Sequence, residues 1–504
     1  DLPRIKARME DVRRRAESSR VAATAGGGAV TVVANGKLRI ESVQIDPAVF
    51  SGSGAPGGVD AEGRALAADL IRDATNEALD RAQALELLLA VALLVDAFKP
   101  AAATASLHCV EGRPCPSPPM SVWAPYPFYN TSVDYAVGVA YANTGLFQPQ
   151  FGFVANAFVS SNNTVAAFLL ARDLQLGEDS RFFADFSVFG GEFGQVQSFQ
   201  SGNPDFPDEV AGSNDSSEDN YLEAEGSDLF LRMPIRYLLP IGAGRDQIIH
   251  TYRTSGGLLI AESGTGGDTW NPLAGGRTML EFTPFYRSQD LELDIGGERE
   301  LTASGVTARI EYDNTDWWNN PSTGSRTQLA YTRDWSGDEP GDTPWTQIEA
   351  QFSKFWSLGP GNRAQARVIA FDAWISDIPT WDDYDLVDGE PLFHRPPVLL
   401  GSTLGGLFRQ RGFATNRFND RSAINYTLEY RYTTARNLLG WIGFLDRFGI
   451  DFTQLVGFVE AGRVAPEFDL GELHEDMKFT YGVGIRASAQ GLIVRADFGF
   501  SEEG

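Results

Sequence analysis

The chain has 504 residues with 67 acidic against 41 basic side chains, so its length predicts at least two structural units and its net charge is −26. Almost all of this negative charge lies after residue 92, which argues against general nucleic-acid binding by the larger part, because phosphates are bound by clustered cations. The hydrophobic share of 43% looks like that of a soluble protein, yet it also fits a membrane barrel, in which only every second side chain faces lipid.

The front of the chain, residues 1–92, predicts a small α+β domain of order α-β-β-α. Residues 2–23 have the composition of a charged helix, which the glycines at 26–28 end. Residues 60–89 predict the second helix, since their apolar residues recur at helical spacing and form one stripe.

Between these helices the sequence predicts a β-hairpin. Residues 29–33 and 38–45 form the two strands, and Asn35-Gly36 is a strong signal for the turn between them. The stretch VTVVANGKLRIESVQIDPAVF, followed by LIRDATNEALDRAQAL, resembles the YbaB/EbfC family of nucleoid-associated proteins. The resemblance covers nearly all of the front domain.

This resemblance implies a homodimer that binds DNA. Sequence-independent phosphate contacts would then come from the cations of the first helix, namely Arg4, Lys6, Arg13, Arg14 and Arg15. The alternative is that these side chains form a solvated helix face.

Residues 93–121 predict a linker with two features. The longest apolar run, Leu87–Val95, is followed by small residues at Ala103–Ala105, which is the pattern of a secretory signal with its cleavage site or of the buried end of a helix. Cys109 and Cys115 predict either a structural disulfide in an oxidising compartment or two free thiols.

From residue 122 to residue 504 apolar residues alternate with small or polar ones. In Val133–Tyr141 the large residues fall on one face and Ala136, Gly138 and Ala140 on the other. The same alternation recurs in three later segments, at 424–433, 479–486 and 494–500. A soluble β-sandwich also alternates, but here charges sit repeatedly on the inward face, where a dry core would have to pair each of them. The pattern therefore favours a transmembrane barrel with a polar lumen.

Aromatic residues cluster near segment ends, as the interfacial girdle of a membrane barrel would place them. The residues that we assign to this girdle are Tyr141, Trp317, Trp318, Trp345, Phe355 and Trp356.

Several motifs in the barrel region, in the same order along the chain, resemble the BamA/TamA-type outer-membrane assembly superfamily, also called bacterial surface antigens. They are YDNTDWWNNPSTGSR, LGGLFRQRGFATNRF with INYTLEYRY, GFVEAGRV, and YGVGIRA with VRADFGFSEEG. The resemblance covers about residues 120–504 and implies a mainly β fold, an antiparallel transmembrane barrel of about 16 strands. The chain stops where a final strand ending in an aromatic residue is expected, so we expect the last strand to be missing.

In that superfamily a long loop folds into the lumen, and acidic residues of the barrel wall hold its R-G-F tip. Arg411, Gly412 and Phe413 match the tip, Glu429 matches one wall residue, and Glu460 stands where the family usually has Asp. A guanidinium in the lumen can bind two carboxylates through charge-assisted hydrogen bonds. The alternative for the arginine is an exposed loop position.

A second motif of that superfamily, a hairpin of pattern D-x-x-D…P-x-x-G, is matched by Asp313, Asp316, Pro321 and Gly324. We expect these residues to shape a turn and not to do chemistry. Superfamily members that insert or export proteins usually carry POTRA repeats before the barrel, and residues 93–121 are too few for one.

No catalytic motif is present, and the four histidines, His108, His250, His394 and His474, have no motif context, so we expect no enzymatic activity, no cofactor and no metal site. The sequence predicts an outer-membrane barrel of the assembly superfamily without POTRA repeats. Its expected partners are outer-membrane lipid and client outer-membrane proteins, with DNA for the front domain. The alternative function is that of a nucleoid-associated DNA-binding protein fused to a barrel with no transport role.

Overall fold

The computed structural model describes residues 20–25, 30–35, 40–45, 105–116, 119–130, 133–200, 202–266, 270–294, 298–336, 343–387, 389–397, 400–438, 450–489 and 492–503. The chain divides into two compact units. The first comprises Asp1–Val91 with Tyr126–Tyr129, and the second comprises Ala92–Pro125 with Asn130–Gly504. Among the described residues there is no helix with the length and apolar character needed to cross a bilayer.

The first unit contains a three-stranded antiparallel sheet in the order β1-β2-β3. The strands are β1 (Arg20–Ala25), β2 (Val30–Asn35) and β3 (Ile40–Ile45). Val30 pairs with Ile45, so β2 and β3 form a hairpin across the predicted Asn-Gly turn.

The strand β1 corrects the end of the first predicted helix, because residues 20–23 are extended and not helical. Val21 and Thr24 are β-branched, and β1 pairs along its whole length with β2, for example Thr24 with Thr31. Strand pairing thus outweighs the helix propensity of the alanines here. The remainder of that helix and the helix predicted at 60–89 lie outside the described residues.

The second unit is built on a 16-stranded antiparallel sheet. Its strands are β5 (Met120–Asn130), β6 (Asp134–Thr144), β7 (Gly152–Ser160), β8 (Val165–Gln175), β9 (Phe182–Ser198), β10 (Leu222–Arg232), β11 (Ile235–Leu238), β14 (Arg277–Leu293), β15 (Glu298–Asp313), β16 (Gly324–Asp334), β17 (Thr346–Ser357), β18 (Ala364–Asp377), β23 (Ser422–Thr434), β24 (Ile450–Ala465), β25 (Lys478–Ala489) and β26 (Leu492–Phe500). The spatial order follows the chain from β5 to β26, with the strands of the inserted segments left out. β10 and β11 both lie between β9 and β14, because Pro234, which has no N–H, interrupts what is otherwise one strand.

One face of this sheet exposes large apolar side chains on almost every strand. They include Tyr135, Val139, Val165, Phe186, Leu229, Phe282, Tyr286, Ile310, Leu329, Tyr331, Ile348, Phe352, Leu428, Tyr430, Leu455, Val459, Phe479, Tyr481 and Val483. The opposite face carries buried polar and charged residues, as at Thr480, Glu429 and Glu460. Because neighbouring residues of a strand point to opposite faces, the alternation of the sequence sorts apolar side chains outward and polar ones inward.

A small three-stranded sheet, which we call the strap, crosses the space enclosed by the large sheet. It consists of β4 (Ser106–Val110), β12 (His250–Ser255) and β13 (Leu258–Leu259), in the order β13-β12-β4 with β4 parallel to β12. Ala105, next to β4, bonds to Asp173 of β8, and the turn at Gly257 lies against Phe452 of β24. Since β8 and β24 are far apart in strand order, the sheet curves around the strap.

A long insertion between β18 and β23, residues 378–421, which we call the lumen loop, occupies the enclosed space nearer the other end of β24. Its strands are β19 (Tyr384–Val387), β20 (Glu390–Phe393), β21 (Thr403–Leu404) and β22 (Phe418–Asn419), paired as β19-β20 and β21-β22. Short 3-10 helices lie at Gly242–Gly244, Ala261–Ser263 and Glu472–His474. The Asn419 N–H donates to the Gly212 carbonyl of the β9–β10 connection. The expected mainly β chain with an antiparallel barrel of about 16 strands is confirmed.

Three of the six residues predicted to form an aromatic girdle are buried, while Tyr141 and Trp356 are exposed as a girdle requires. Trp317, Trp345 and Phe355 are buried, whereas Trp356, the next residue after Phe355, is exposed. Trp345 packs against Phe285 on the inward face. The prediction used position along the chain, but strand parity and loop folding decide which face an aromatic ring takes.

Candidate functional site: the tip of the lumen loop

The tip of the lumen loop is the tripeptide Arg411, Gly412 and Phe413. The Arg411 side chain is buried, and its Nε donates to Glu460 Oε1 at 3.0 Å. Its Nη1 donates to Glu429 Oε1 at 3.1 Å and to Asp497 Oδ2 at 2.6 Å. The structure thus brings together the predicted arginine and both predicted wall carboxylates, and adds Asp497 of β26.

Glu460 binds the loop backbone as well as the guanidinium. Its Oε2 accepts the Arg411 main-chain N–H at 2.6 Å, and the hydroxyls of Thr427 and Thr480 donate to its two oxygens. The guanidinium also lies 3.7 Å from the ring centroid of Phe458, which is a cation–π contact. The Glu460 carboxylate therefore binds both the main-chain N–H and the guanidinium of Arg411.

Glu429 links the tip to two further arginines of the wall. Arg431 lies on the same strand, with its Nε donating at 2.9 Å, and Arg486 of β25 donates to both Glu429 oxygens at 2.9 and 3.0 Å. We call the six residues together the tip cluster: Arg411, Arg431, Arg486, Glu429, Glu460 and Asp497. Its three positive charges balance its three negative ones, as burial of charge requires.

Two glycines let the loop backbone approach the barrel wall. Gly412 has φ +132, in the region that favours glycine, and a Cβ there would lie 3.0 Å from the backbone of Phe500. On the wall, a Cβ at Gly499 would lie 1.9 Å from the Arg411 carbonyl oxygen. A side chain at either position would push the tip away from β26.

Phe413 anchors the other side of the tip in an apolar cluster. It packs with Trp374, Leu404, Phe418, Ala423 and Val464, and its ring meets that of Phe418 edge-on with centroids 5.0 Å apart. The tip is therefore held by charge on one side and by apolar packing on the other.

Arg417, four residues beyond the tip, ties the loop to two other segments. Its Nη1 and Nη2 donate to the Ser216 hydroxyl and carbonyl in the β9–β10 connection, and its Nη2 lies 2.8 Å from Glu503 near the end of the chain. Such contacts fix the base of the loop as well as its tip.

The second predicted motif forms a rigid turn between β15 and β16. Asp313 accepts the N–H and hydroxyl of Thr315 and the guanidinium of Arg326. Asp316 accepts main-chain N–H groups of Trp317, Ser322 and Thr323 and the Ser322 hydroxyl.

The other two residues of this motif also shape the turn. Pro321 is buried, and Gly324 has φ +93, where an added Cβ would lie 2.1 Å from the Asn314 carbonyl oxygen. All four motif residues therefore have structural contacts, as a turn-forming role requires.

The remaining predicted site residues fall in two places. Cys109 and Cys115 form a disulfide that closes the turn after β4. The predicted DNA-contacting residues lie outside the described residues, and they are Arg4, Lys6, Arg13, Arg14 and Arg15.

The charges of the tip cluster hold the lumen loop against the barrel wall. Burial lowers the pKa of the Arg411 guanidinium, but Glu429, Glu460 and Asp497 together raise it above its ordinary value, so the group stays charged. In the part of the chain that the structure describes, no group of three or more His, Cys, Asp or Glu residues is arranged to hold a metal ion. The arrangement can fix a loop in the lumen and release it when the charges are separated.

Sequence reasoning missed three members of the tip cluster, Asp497, Arg431 and Arg486. Alternation places all three on the inward face, so the signal for their orientation was present. Which inward residues meet the tip depends on where the loop enters the barrel.

Two solved barrels are similar to part of the chain. The crystal structure of BamA from Haemophilus ducreyi lacking POTRA domains 1–3 aligns over 76% of this chain and 70% of that chain, with 10% sequence identity and a TM-score of 0.41. CdiB from Escherichia coli aligns over 76% of this chain and 58% of that chain, with 10% identity and a TM-score of 0.45.

The front of the chain matches a known family. Residues 1–86 match the model of the YbaB/EbfC DNA-binding family. A nucleoid-associated protein of Clostridium kluyveri is 41% identical over 75 residues, which are 15% of this chain and 58% of that protein. The chain thus spans little more than half the length of this relative. The resemblance of the front segment to the YbaB/EbfC family is confirmed.

Proposed function

We propose that the second unit is an outer-membrane barrel that takes part in the insertion or translocation of other polypeptides. The observation that carries this proposal is the apolar outer face of the sheet, which continues from strand to strand around a polar interior. In water such a belt would be a large exposed apolar surface, whereas lipid removes that cost. Barrel pairing also satisfies the backbone hydrogen bonds that a bilayer cannot.

In this proposal the lumen loop is the element that keeps the interior closed until a client polypeptide arrives. The tip cluster supports that role because its buried charges balance one another, and separating one partner from the rest leaves an uncompensated buried charge. A loop held in this way has two discrete states, docked and released, and not a continuum.

The first test of membrane insertion is heat-modifiable gel migration combined with protease shaving of the full chain, expressed with a signal peptide in a Gram-negative host. We expect faster migration of the unheated sample and protected fragments that contain β14–β18. Unshifted migration with complete digestion would contradict the proposal. A variant with Leu329, Tyr331 and Ile348 changed to Asp should lose insertion, because charges on the lipid face cost several kcal/mol together.

A second candidate function, DNA binding by the front segment, is favoured by its match to a DNA-binding family. A domain attached to an exported barrel cannot serve the nucleoid, so we propose that only one of the two units acts in the role of its relatives. The test is a gel shift of the full chain in detergent at low salt, against a variant with Arg13, Arg14 and Arg15 changed to Ala. A shift that the variant loses supports DNA binding, and no shift at low salt removes this candidate.

A further inference from the structure

In the strap, β4 is held through main-chain contacts of the kind by which proteins bind an extended peptide. β4 joins the edge of β12 in parallel, with Ser106 opposite His250 and Val110 opposite Thr254. This is the geometry of β-strand addition, in which main-chain hydrogen bonds supply affinity and pockets for single side chains supply specificity.

At the start of this strand two charged wall residues grip the main chain of Ala105. Asp173 Oδ1 accepts its N–H at 2.9 Å, and Arg277 Nη2 donates to its carbonyl oxygen at 3.3 Å. The His250 N–H donates to the same carbonyl at 3.1 Å. These contacts use only backbone atoms of the bound segment, so another polypeptide could make all of them.

The wall residues that form this grip are themselves fixed. Asp173 receives a hydrogen bond of 2.7 Å from Arg236, which also bonds to Asp185 at 2.6 Å. Arg277 is 1% exposed, and its Nε and Nη1 have no hydrogen-bond acceptor among the described residues. The same Nη2 that binds Ala105 also donates to the Ile248 carbonyl at 2.7 Å, which holds the guanidinium in place.

The side chain of Ala105 enters a closed apolar pocket. Ala105 is 0% exposed, and it packs against Phe183, Leu238 and Met279. Its φ is +40, a conformation that favours glycine over larger residues. This position therefore selects a small residue, glycine or alanine.

Beyond the pocket, the β15–β16 turn contributes two tryptophans to the bound strand. Trp318 Nε1 donates to the Ser106 hydroxyl at 3.1 Å, and Trp317 stacks on the ring of His108 with centroids 5.5 Å apart. The β15–β16 turn thus positions two aromatic rings against β4.

We propose that the edge of β12, the Asp173–Arg277 grip and the Trp317–Trp318 turn form a binding site for an extended polypeptide strand that begins with a small residue. In the structure the chain's own residues 105–110 occupy the site, and a strand of a client polypeptide replaces them during function. The inference rests on the proposed function only for the identity of the client, since strand binding itself needs no membrane and no transport.

The test uses the full chain folded in detergent and a fluorescein-labelled peptide Ala-Ser-Leu-His-Ser-Val, which copies the segment with Ser in place of Cys109. Ala105→Leu should expel β4 because the pocket has no room for the larger side chain, whereas the matched control Ala105→Gly should keep it docked. We expect the peptide to bind the Leu variant at least tenfold more tightly than the Gly variant. Adding Arg277→Met to the Leu variant, or placing Leu first in the peptide, should abolish this gain.

Expulsion of β4 is measured independently by the rate at which Cys109 reacts with a maleimide after reduction, because Cys109 is 3% exposed when the strand is docked. Fast labelling of the Leu variant without peptide binding would overturn the proposal, as would equal binding to both variants. If the Leu variant fails to fold, the same labelling experiment is carried out on the unsubstituted protein. Excess peptide should displace β4 and accelerate Cys109 labelling. No acceleration at saturating peptide would overturn the proposal. None of these measurements involves membrane insertion or transport, so they can succeed or fail independently of the proposed function of the barrel.

Discussion

Two segments, the lumen loop and the strap, lie inside the barrel, and they are held by different kinds of contact. The tip of the lumen loop is bound by side-chain charges, in which Arg411 meets three carboxylates. The strap is bound through main-chain groups, with β4 paired to β12 and Ala105 gripped at its N–H and carbonyl. A charged clamp depends on particular side chains and resists exchange, whereas a main-chain clamp accepts many sequences.

The sharpest test of this contrast is Arg411→Ala. The change leaves buried Glu460 and Asp497 without their main partner, and we expect a loss of about 3–5 kcal/mol in the free energy of unfolding. The measurement is urea unfolding of the inserted protein, with Arg245→Ala, an exposed arginine, as the control. A loss below 1 kcal/mol would show that the tip is not held by charge.

A double-mutant cycle shows whether the contact with Glu429 is real. Glu429→Gln should also destabilise the barrel, because Arg431 and Arg486 lose their shared carboxylate. The effects of Arg411→Ala and Glu429→Gln should be strongly non-additive, since both changes break one network. Strict additivity would exclude the contact.

The second prediction concerns the close approach of the tip to β26. Gly499→Ala places a Cβ 1.9 Å from the Arg411 carbonyl oxygen, so we expect a loss of roughly 2–3 kcal/mol and release of the tip. Gly457→Ala on β24, which has the parity of the outward-facing Leu455 and Val459, is the control, because no atom lies within 4 Å of its added Cβ. The readout is the unfolding temperature together with protease cleavage in the lumen loop. Equal effects of both changes would mean that the tip does not need this contact.

The third prediction is that the stability of the lumen loop depends on pH through Asp420. Burial raises the pKa of Asp420, at the base of the lumen loop, to about 6, while Arg421 and Arg395 oppose the shift. The folded state then binds the proton more tightly, so this residue stabilises the fold below about pH 4, and that stabilisation is lost as the pH rises through about 6.

Asp420→Asn should therefore add about 1–3 kcal/mol to the free energy of unfolding at pH 7.5 and nothing near pH 4. Asn keeps the oxygen that accepts the Arg421 N–H, which isolates the effect of charge. Urea unfolding at the two pH values checks it, and a gain of the same size at both would contradict the assignment.

The fourth and smallest effect runs in the opposite direction, at the strap. Burial lowers the pKa of His108, with Asp451 opposing, and burial also lowers the pKa of His250. Neutral histidine is favoured in the folded state, so the stabilisation is present above about pH 6.5 and is lost as the pH falls through the lowered pKa values.

Acidification should accordingly lower the hydrogen-exchange protection factors of β4 and β12, with each rate corrected for the slower intrinsic exchange at low pH, while the lumen loop stays protected. His108→Gln with His250→Gln should remove this pH dependence, because the amide of glutamine does not titrate. Persistence of the pH response in that double variant would place its origin elsewhere.

The comparison also separates what the sequence determines from what only the tertiary structure decides. Alternation along single strands fixes which side chains face outward, so the sequence by itself determined a β-barrel with a polar interior and placed Glu429 on its inward face. Arg411 and Glu460 were placed there by the resemblance to a family. The tip could be recognised from its motif because its contacts are made by particular side chains, which the sequence records. Local patterns also predicted the hairpin of β2 and β3, although pairing with β2 turned residues 20–23 into a strand.

Tertiary structure decided everything that depends on curvature of the sheet and on segments far apart in the chain. Asp497 joins Arg411 from 86 residues away, and the strap pairs Ser106 with His250 across a wide gap in the sequence. Trp317 is buried because the β15–β16 turn brings its ring against His108 of the strap. Such contacts form only when distant segments are brought together against chain entropy, and no local periodicity records which segments will meet.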